Sequence, residues 1–205
     1  MTMEAAAKDQ LLERVMAFAA AEGIAGRSLR DIAAGVGTSH RMLLYHFGSR
    51  DGVLAAIVAT IEAQQREVMT ALTEQAGTPR EVMLGLWEQL TRPELLPFVR
   101  LFFEVFGLLA QDTPGTRPLR ESLTAPWVTE GLAGAERLGV AGDPAELRLG
   151  IAVTRGLLLE LVAGTPLADV DAAYRRFVDL YDAAAGSDRH ADSDGQSSDG
   201  RRART

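Results

Sequence analysis

The stretch SHRMLLYHF, Ser39 to Phe47, holds two of the chain's three histidines, His40 and His46, beside Arg41 and Tyr45. These side chains suit two kinds of chemistry. An arginine can grip a guanine edge with two hydrogen bonds, and histidine and tyrosine can donate to phosphate or base. An imidazole can also shuttle a proton, but that use wants a carboxylate or second imidazole close by. The remaining histidine, His190, lies near the C-terminus, and no HExxH, phosphate-binding glycine loop or carboxylate–histidine cluster occurs. Cysteine is absent, which removes thiolate catalysis, disulfides and thiolate metal sites. No catalytic residue, metal site or cofactor is therefore expected, and recognition of double-stranded DNA is the stronger reading.

The charge distribution agrees. The 205 residues carry a net charge of −7, which argues against a generally basic coat. From Gly26 to Arg50, however, four arginines are set against one acid, Asp31, giving +3, so the rest of the chain carries −10. A hydrophobic fraction of 47% is enough for a sizeable core. The N-terminus does not read as a secretory leader, and no stretch reaches the ~18 uncharged apolar residues of a membrane span. A soluble, cytoplasmic protein without membrane contact is expected.

The elements that must position the cluster are all helical, since alternating β-branched runs are missing. A first helix is expected from about Asp9 to Glu22, stopped by Gly23. Ser28-Leu29-Arg30-Asp31 reads as a capping box for a short second helix, interrupted by Gly35 and Gly37. Ser39 caps a third helix to about Phe47, and Gly48-Ser49-Arg50-Asp51 restarts the chain into a long fourth, to about Glu74. Further helices are expected at 79–91, 94–110, around Trp127, 144–163 and 167–185. The segment 186–205 has no apolar periodicity and reads as disordered.

Two short helices around a glycine turn, within a three-helix unit, make a helix-turn-helix. Ile32, Ala33 and Val36 would pack the pair, and Leu43 and Phe47 would hold the third helix to the core. His40, Arg41, Leu44 and Tyr45 would then project outward, with residues near that helix's start reaching base edges. Ser49 and the free amides opening the fourth helix could take a phosphate. Arg27 and Arg30 read as phosphate-facing, the alternative being solvated or paired charges. Ser28 is a helix cap first. For Tyr45 and His46 the alternative is a half-buried surface position.

The spacing from Leu11 to Leu54 resembles the TetR family of bacterial transcription regulators: Ser28, Ile32-Ala33, Gly37-Thr38-Ser39, Leu43, Phe47, Ser49-Arg50-Asp51 and Leu54 follow without a gap. There are departures. Leu44 falls where the family usually has a tyrosine, with Tyr45 one position later, a rotation of ~100° on a helix; Thr38 replaces a usual valine and Arg50 a usual lysine. The resemblance implies an all-α protein: a helix-turn-helix domain at 1–48, then a helical regulatory and dimerisation domain at 49–185. It implies DNA contacts from Arg27, Ser28, Arg30, Thr38, Ser39, His40, Arg41, Leu44, Tyr45, His46, Ser49 and Arg50. It also implies a homodimer through helices 144–163 and 167–185, and a repressor that releases a palindromic operator when a small-molecule effector binds. A ligand-independent regulator, or one controlled by a protein partner, is the alternative.

The regulatory portion must be read from its own residues. ELLPFVRLFFEVFGLLAQD is apolar all round, as for a helix buried on every side. Its aromatics either fill a core or line a cavity with Trp87, Phe102, Phe106 and Trp127. Glu104 is a costly carboxylate there unless paired, with Arg100 one turn earlier or Arg155 as structural partners, or a ligand as the other reading. The tentative effector set is Trp87, Phe102, Glu104, Phe106, Trp127 and Arg155.

Overall fold

Helices begin where the sequence supplies side-chain oxygens for otherwise orphaned amides. The computed structural model describes residues 3–24 and 26–199, with side chains over 5–24 and 26–183. After α1 (Met3–Glu22), α2 (Leu29–Gly35) opens on a reciprocal capping box. There Ser28 Oγ accepts from the Asp31 amide at 3.2 Å, and the Asp31 carboxylate accepts from the Ser28 amide at 3.0 Å. Ser39 opens α3 (His40–Phe47) and Ser49 opens α4 (Arg50–Gln75), each hydroxyl accepting from the amide three residues on. Thr78 caps α5 (Pro79–Leu90), which is followed by α6 (Leu96–Ala110) and a 3-10 turn (Pro114–Leu119). Then come α7 (Ala125–Arg137), α8 (Pro144–Ala163), opened by the Asp143 carboxylate, and α9 (Leu167–Asp199). No strand occurs among the described residues.

Both ends of the helical chain run further than composition suggests. α1 starts at Met3 because Glu4-Ala5-Ala6-Ala7-Lys8 are strong helix formers. α9 does not stop near Ala185, where the sequence reading ended it, but continues to Asp199. The stretch contains no proline, and extending a helix that has already formed costs little per residue. Residues 200–205 lie outside the described chain.

Two apolar clusters organise the packing. The first joins α1–α4 to α6 and the 3-10 turn: Val15, Ile32, Leu43, Val53, Leu54 and Ile57 are fully buried, with Leu101, Val105 and Leu119 against them. Packing is thus continuous across residue 48, and the first turns of α4 serve the head as much as the body. The second cluster centres on Trp87, whose ring stacks on Tyr174 with centroids 4.3 Å apart, among Val99, Leu158, Val170 and Val178. α6 is not buried on every side as its composition suggested. Val99, Leu101, Val105 and Leu109 face inward, whereas Arg100 is exposed and Phe106 is 43% exposed. No described helix is long and apolar enough to cross a membrane.

Candidate functional site

The turn between α2 and α3 fixes how α3 is presented. Gly37 takes φ +64°, a left-handed conformation that costs a side-chain-bearing residue. The Arg14 guanidinium of α1 donates to the Val36 and Gly37 carbonyls, the latter at 3.0 Å, closing the end of α2. Leu43 anchors α3 in the core, and Phe47 packs half-buried behind it with Lys8 Nζ 5.6 Å above its ring.

The opposite face of α3 is open. Arg41, Met42, Leu44 and Tyr45 are exposed there, Tyr45 by 66%, while Thr38, His40 and His46 are half-buried. His46 stands edge-on to Tyr45 and Phe47, with centroids 4.9 and 6.3 Å away. Ser39 is exposed with its hydroxyl bonded to the Met42 amide. Sequence reasoning missed Met42. It lies three residues before Tyr45, hence on the same face, and offers an apolar contact of the kind a thymine methyl takes.

The structure divides the four arginines of this region. Arg41 and Arg30 are exposed, and neither guanidinium has a partner among the described residues. Arg27 instead donates to the Glu22 carboxylate at 3.3 Å and lies 4.9 Å over the Phe18 ring. Arg50 is engaged within the chain: its Nε donates to the Arg27 carbonyl at 2.8 Å and its Nη2 meets Glu104 of α6 at 3.1 Å. Ser49 is covered too, since a Cβ at Gly115 in the 3-10 turn would sit 2.6 Å from its Oγ and 3.0 Å from the Gly52 amide nitrogen. Ser49 and Arg50 are thus engaged between head and body in this structure, whereas the sequence reading set them among the DNA-facing residues. Ser28 is spent in its capping box, its hydroxyl also 2.6 Å from the Asp31 carboxylate.

These differences set an order of effects. Arg41→Ala is expected to weaken binding to a cognate duplex by ~1–3 kcal/mol, with the oligomeric state unchanged. Arg27→Ala should cost less than Arg41→Ala, because its guanidinium is already engaged. Titrating both variants against one labelled duplex checks this, and an Arg41→Ala affinity equal to wild type removes Arg41 from the interface.

Of the six residues expected around an effector, the structure brings together Phe102, Trp127 and Arg155. They line a cavity of about 220 Å³ bounded by α4–α8, with Tyr174 and Tyr181 of α9. Trp87 lies outside its lining, buried in the second cluster with Nε1 donating to Asp171 at 3.2 Å. Phe106 points outward, and Glu104 is paired with Arg50 rather than with Arg100 or Arg155. The true polar centre is a residue the sequence did not single out. Glu62 of α4 accepts from Trp127 Nε1 at 2.7 Å and pairs with Arg155 Nη2 at 3.4 Å. Arg155 also donates to Thr124 Oγ1 and the Leu123 carbonyl, and lies 5.1 Å over the Phe102 ring. One turn from Glu62, Gln65 is 5% exposed, and its Oε1 has no hydrogen-bond partner.

Burial pushes the Glu62 carboxyl up, opposed chiefly by Arg155, and pushes the Arg155 guanidinium down, opposed by Glu62. A carboxyl whose folded value is raised stabilises the fold most while protonated, below its ordinary 4.5, and loses that contribution as pH climbs through the folded value. Glu62→Gln, which cannot ionise, should gain stability relative to wild type across the window just above pH 4.5. Urea denaturation at fixed ionic strength measures it, and a difference that stays flat there contradicts a buried, ionised Glu62.

Residues 11–57 match the sequence model of the TetR family of bacterial regulatory proteins. No curated protein matches the chain. Among solved structures, a TetR-family transcriptional regulator from Mesorhizobium loti shares 16% identity, with a TM-score of 0.62 over 90% of this chain and 98% of its own. One from a Rhodococcus species shares 23%, with a TM-score of 0.64 over 84% and 96%. The multidrug binding protein EbrR, complexed with imidazole, shares 22%, with a TM-score of 0.57 over 82% and 93%.

Proposed function

We propose that this chain, whose residues 11–57 match the TetR family of bacterial regulatory proteins, is a homodimeric repressor of that family that leaves a palindromic operator when a small molecule enters the cavity. The observation that carries the reading is the open face of α3, where Arg41 projects without a partner beside Met42 and Tyr45. Apart from Phe106, the large apolar side chains found exposed sort into two groups. Met42, Leu44 and Tyr45 lie on α3, and Leu149, Leu159, Leu167 and Leu180 lie on or at the start of the last two helices.

The second group supports a dimer. On α8 the exposed residues Leu149, Ala152, Gly156, Leu159 and Ala163 recur every three or four positions, so one stripe that water should wet is apolar or small. On α9, Ala172, Ala173, Leu180 and Ala183 continue the pattern. Two α8–α9 pairs stacked on this stripe form a four-helix contact, and its two-fold axis sets two α3 helices about one DNA turn, ~34 Å, apart.

α4 couples the ends. Its 26 residues span about 39 Å, with Glu62 and Gln65 on the cavity and Arg50 at the head. α6 lines the cavity with Phe98 and Phe102 and meets α4 again through Glu104 and Arg50. A ligand that parts α4 from α6 therefore works directly on the contact that orients the head. It lowers operator affinity only insofar as it prefers the displaced arrangement, a coupling typically of 1–3 kcal/mol. Selection of bound duplexes from a random pool tests the reading. An enriched inverted repeat is expected, and a pool that stays random after repeated rounds rejects sequence-specific binding.

A further inference from the structure

Two facts about the cavity bear on the chemistry of its occupant. The charged pair inside it is already complete: Arg155 neutralises Glu62 at 3.4 Å, and Trp127 Nε1 takes up the same carboxylate oxygen at 2.7 Å. An entering cation would compete with Arg155 for Glu62, and an entering anion would meet Glu62 beside Arg155. Beside that pair either would shed its hydration shell without finding an unmatched counter-charge; the other two carboxylates of the lining, Glu130 and Glu146, are half-buried and exposed, so water already solvates them. The second fact is Gln65. Its side chain is buried, it lines the cavity one helical turn from Glu62, and its amide oxygen meets no donor. Buried amides without partners are uncommon because each costs about as much as a lost hydrogen bond. Arg66 Nη1 also lacks a partner, but it belongs to a separate recess with Glu67, Glu74 and Glu130.

Building on the effector-responsive reading above, we infer that the cavity takes a neutral, mainly apolar alcohol or phenol whose hydroxyl bonds to Gln65. An amide can turn either its oxygen or its nitrogen toward the cavity, and a hydroxyl answers both because it donates and accepts. The body of the ligand would lie against Ile61, Met69, Phe98, Phe102 and Leu158, which present only carbon and sulfur. At about 220 Å³ the space exceeds the ~150 Å³ that accommodates a benzene ring, so a substituted ring or a chain of comparable bulk fits.

The test compares 4-propylphenol with propylbenzene, 4-propylbenzoate and 4-propylbenzylammonium by calorimetry on the full-length protein. The phenol should bind at least about tenfold more tightly than each of the other three, since a site holding a buried polar group rejects an analogue that leaves it unmet. Gln65→Leu should remove most of the preference for phenol over propylbenzene while the hydrocarbon still binds. Propylbenzene binding as tightly as the phenol, either ion binding more tightly, or no binding by any of the four overturns the inference. So does a Gln65→Leu protein that keeps the preference. The wild-type comparison decides the matter even if that variant does not fold. Release of a selected duplex is read separately by anisotropy. Gln65-dependent phenol binding that leaves the duplex bound would count against effector-controlled repression and leave the ligand chemistry standing.

Discussion

Arg155→Met is expected to destabilise the protein by about 3–5 kcal/mol near neutral pH, the usual cost of leaving one member of a buried ion pair without the other. Arg155 holds four things at once: the Glu62 carboxylate, the Thr124 hydroxyl, the Leu123 carbonyl and the face of Phe102. The methionine replaces the stem but none of the donors, and Glu62 is left with the Trp127 N–H and the weaker attraction of Arg66. The pair is well shielded, with side chains 18% and 13% exposed, so water recovers little of the loss. Glu62→Leu combined with Arg155→Met should recover most of it, because two apolar groups then fill the space of two charges and no charge remains to be solvated. Denaturant midpoints of wild type, both single variants and the double variant close the cycle. Purely additive losses would show that Glu62 and Arg155 do not act as a pair.

Leu149→Asp with Leu180→Asp is expected to leave a folded monomer whose operator affinity falls ~100- to 10,000-fold, the range by which linking two binding units exceeds either alone. Both side chains are more than half exposed in the single chain, at 58% and 53%, so the charges cost the monomer little. At a two-fold contact each aspartate would be desolvated and brought near its own copy. Sedimentation should show half the wild-type mass with unchanged helicity. A double variant that still sediments as a dimer places the interface elsewhere.

What was legible in the sequence was local. Ser28 with Asp31, Ser39 before α3, Pro79 after Thr78 and the turn at Gly37 each announce themselves within four residues, and each stands where expected. The all-α architecture and the outward face of α3 follow from such signals. The residues whose surroundings differ from expectation depend on pairings the chain makes at long range. Glu104 looked for its partner one turn away at Arg100 and found it 54 residues back at Arg50. That single contact engages one residue of the expected DNA-facing set with one of the expected effector set. Glu62 lies in IEAQQREVM, which reads as the wet side of a long helix. Only the folding of α7 and α8 over it, bringing Arg155 from 93 residues away, makes it the polar centre of a cavity. Trp87 and Trp127 are alike as residue types, and packing alone decides which one borders the space.

Hydroxyl-radical footprinting on a selected duplex tests most directly the claim that α3 enters DNA twice per dimer. The account predicts two protected patches on one face of the helix, ~34 Å between centres, with both patches fading together in Arg41→Ala and neither changing in Arg50→Ala beyond the effect of a loosened head. Uniform, sequence-independent protection, or protection that survives Arg41→Ala at equal protein concentration, would contradict it.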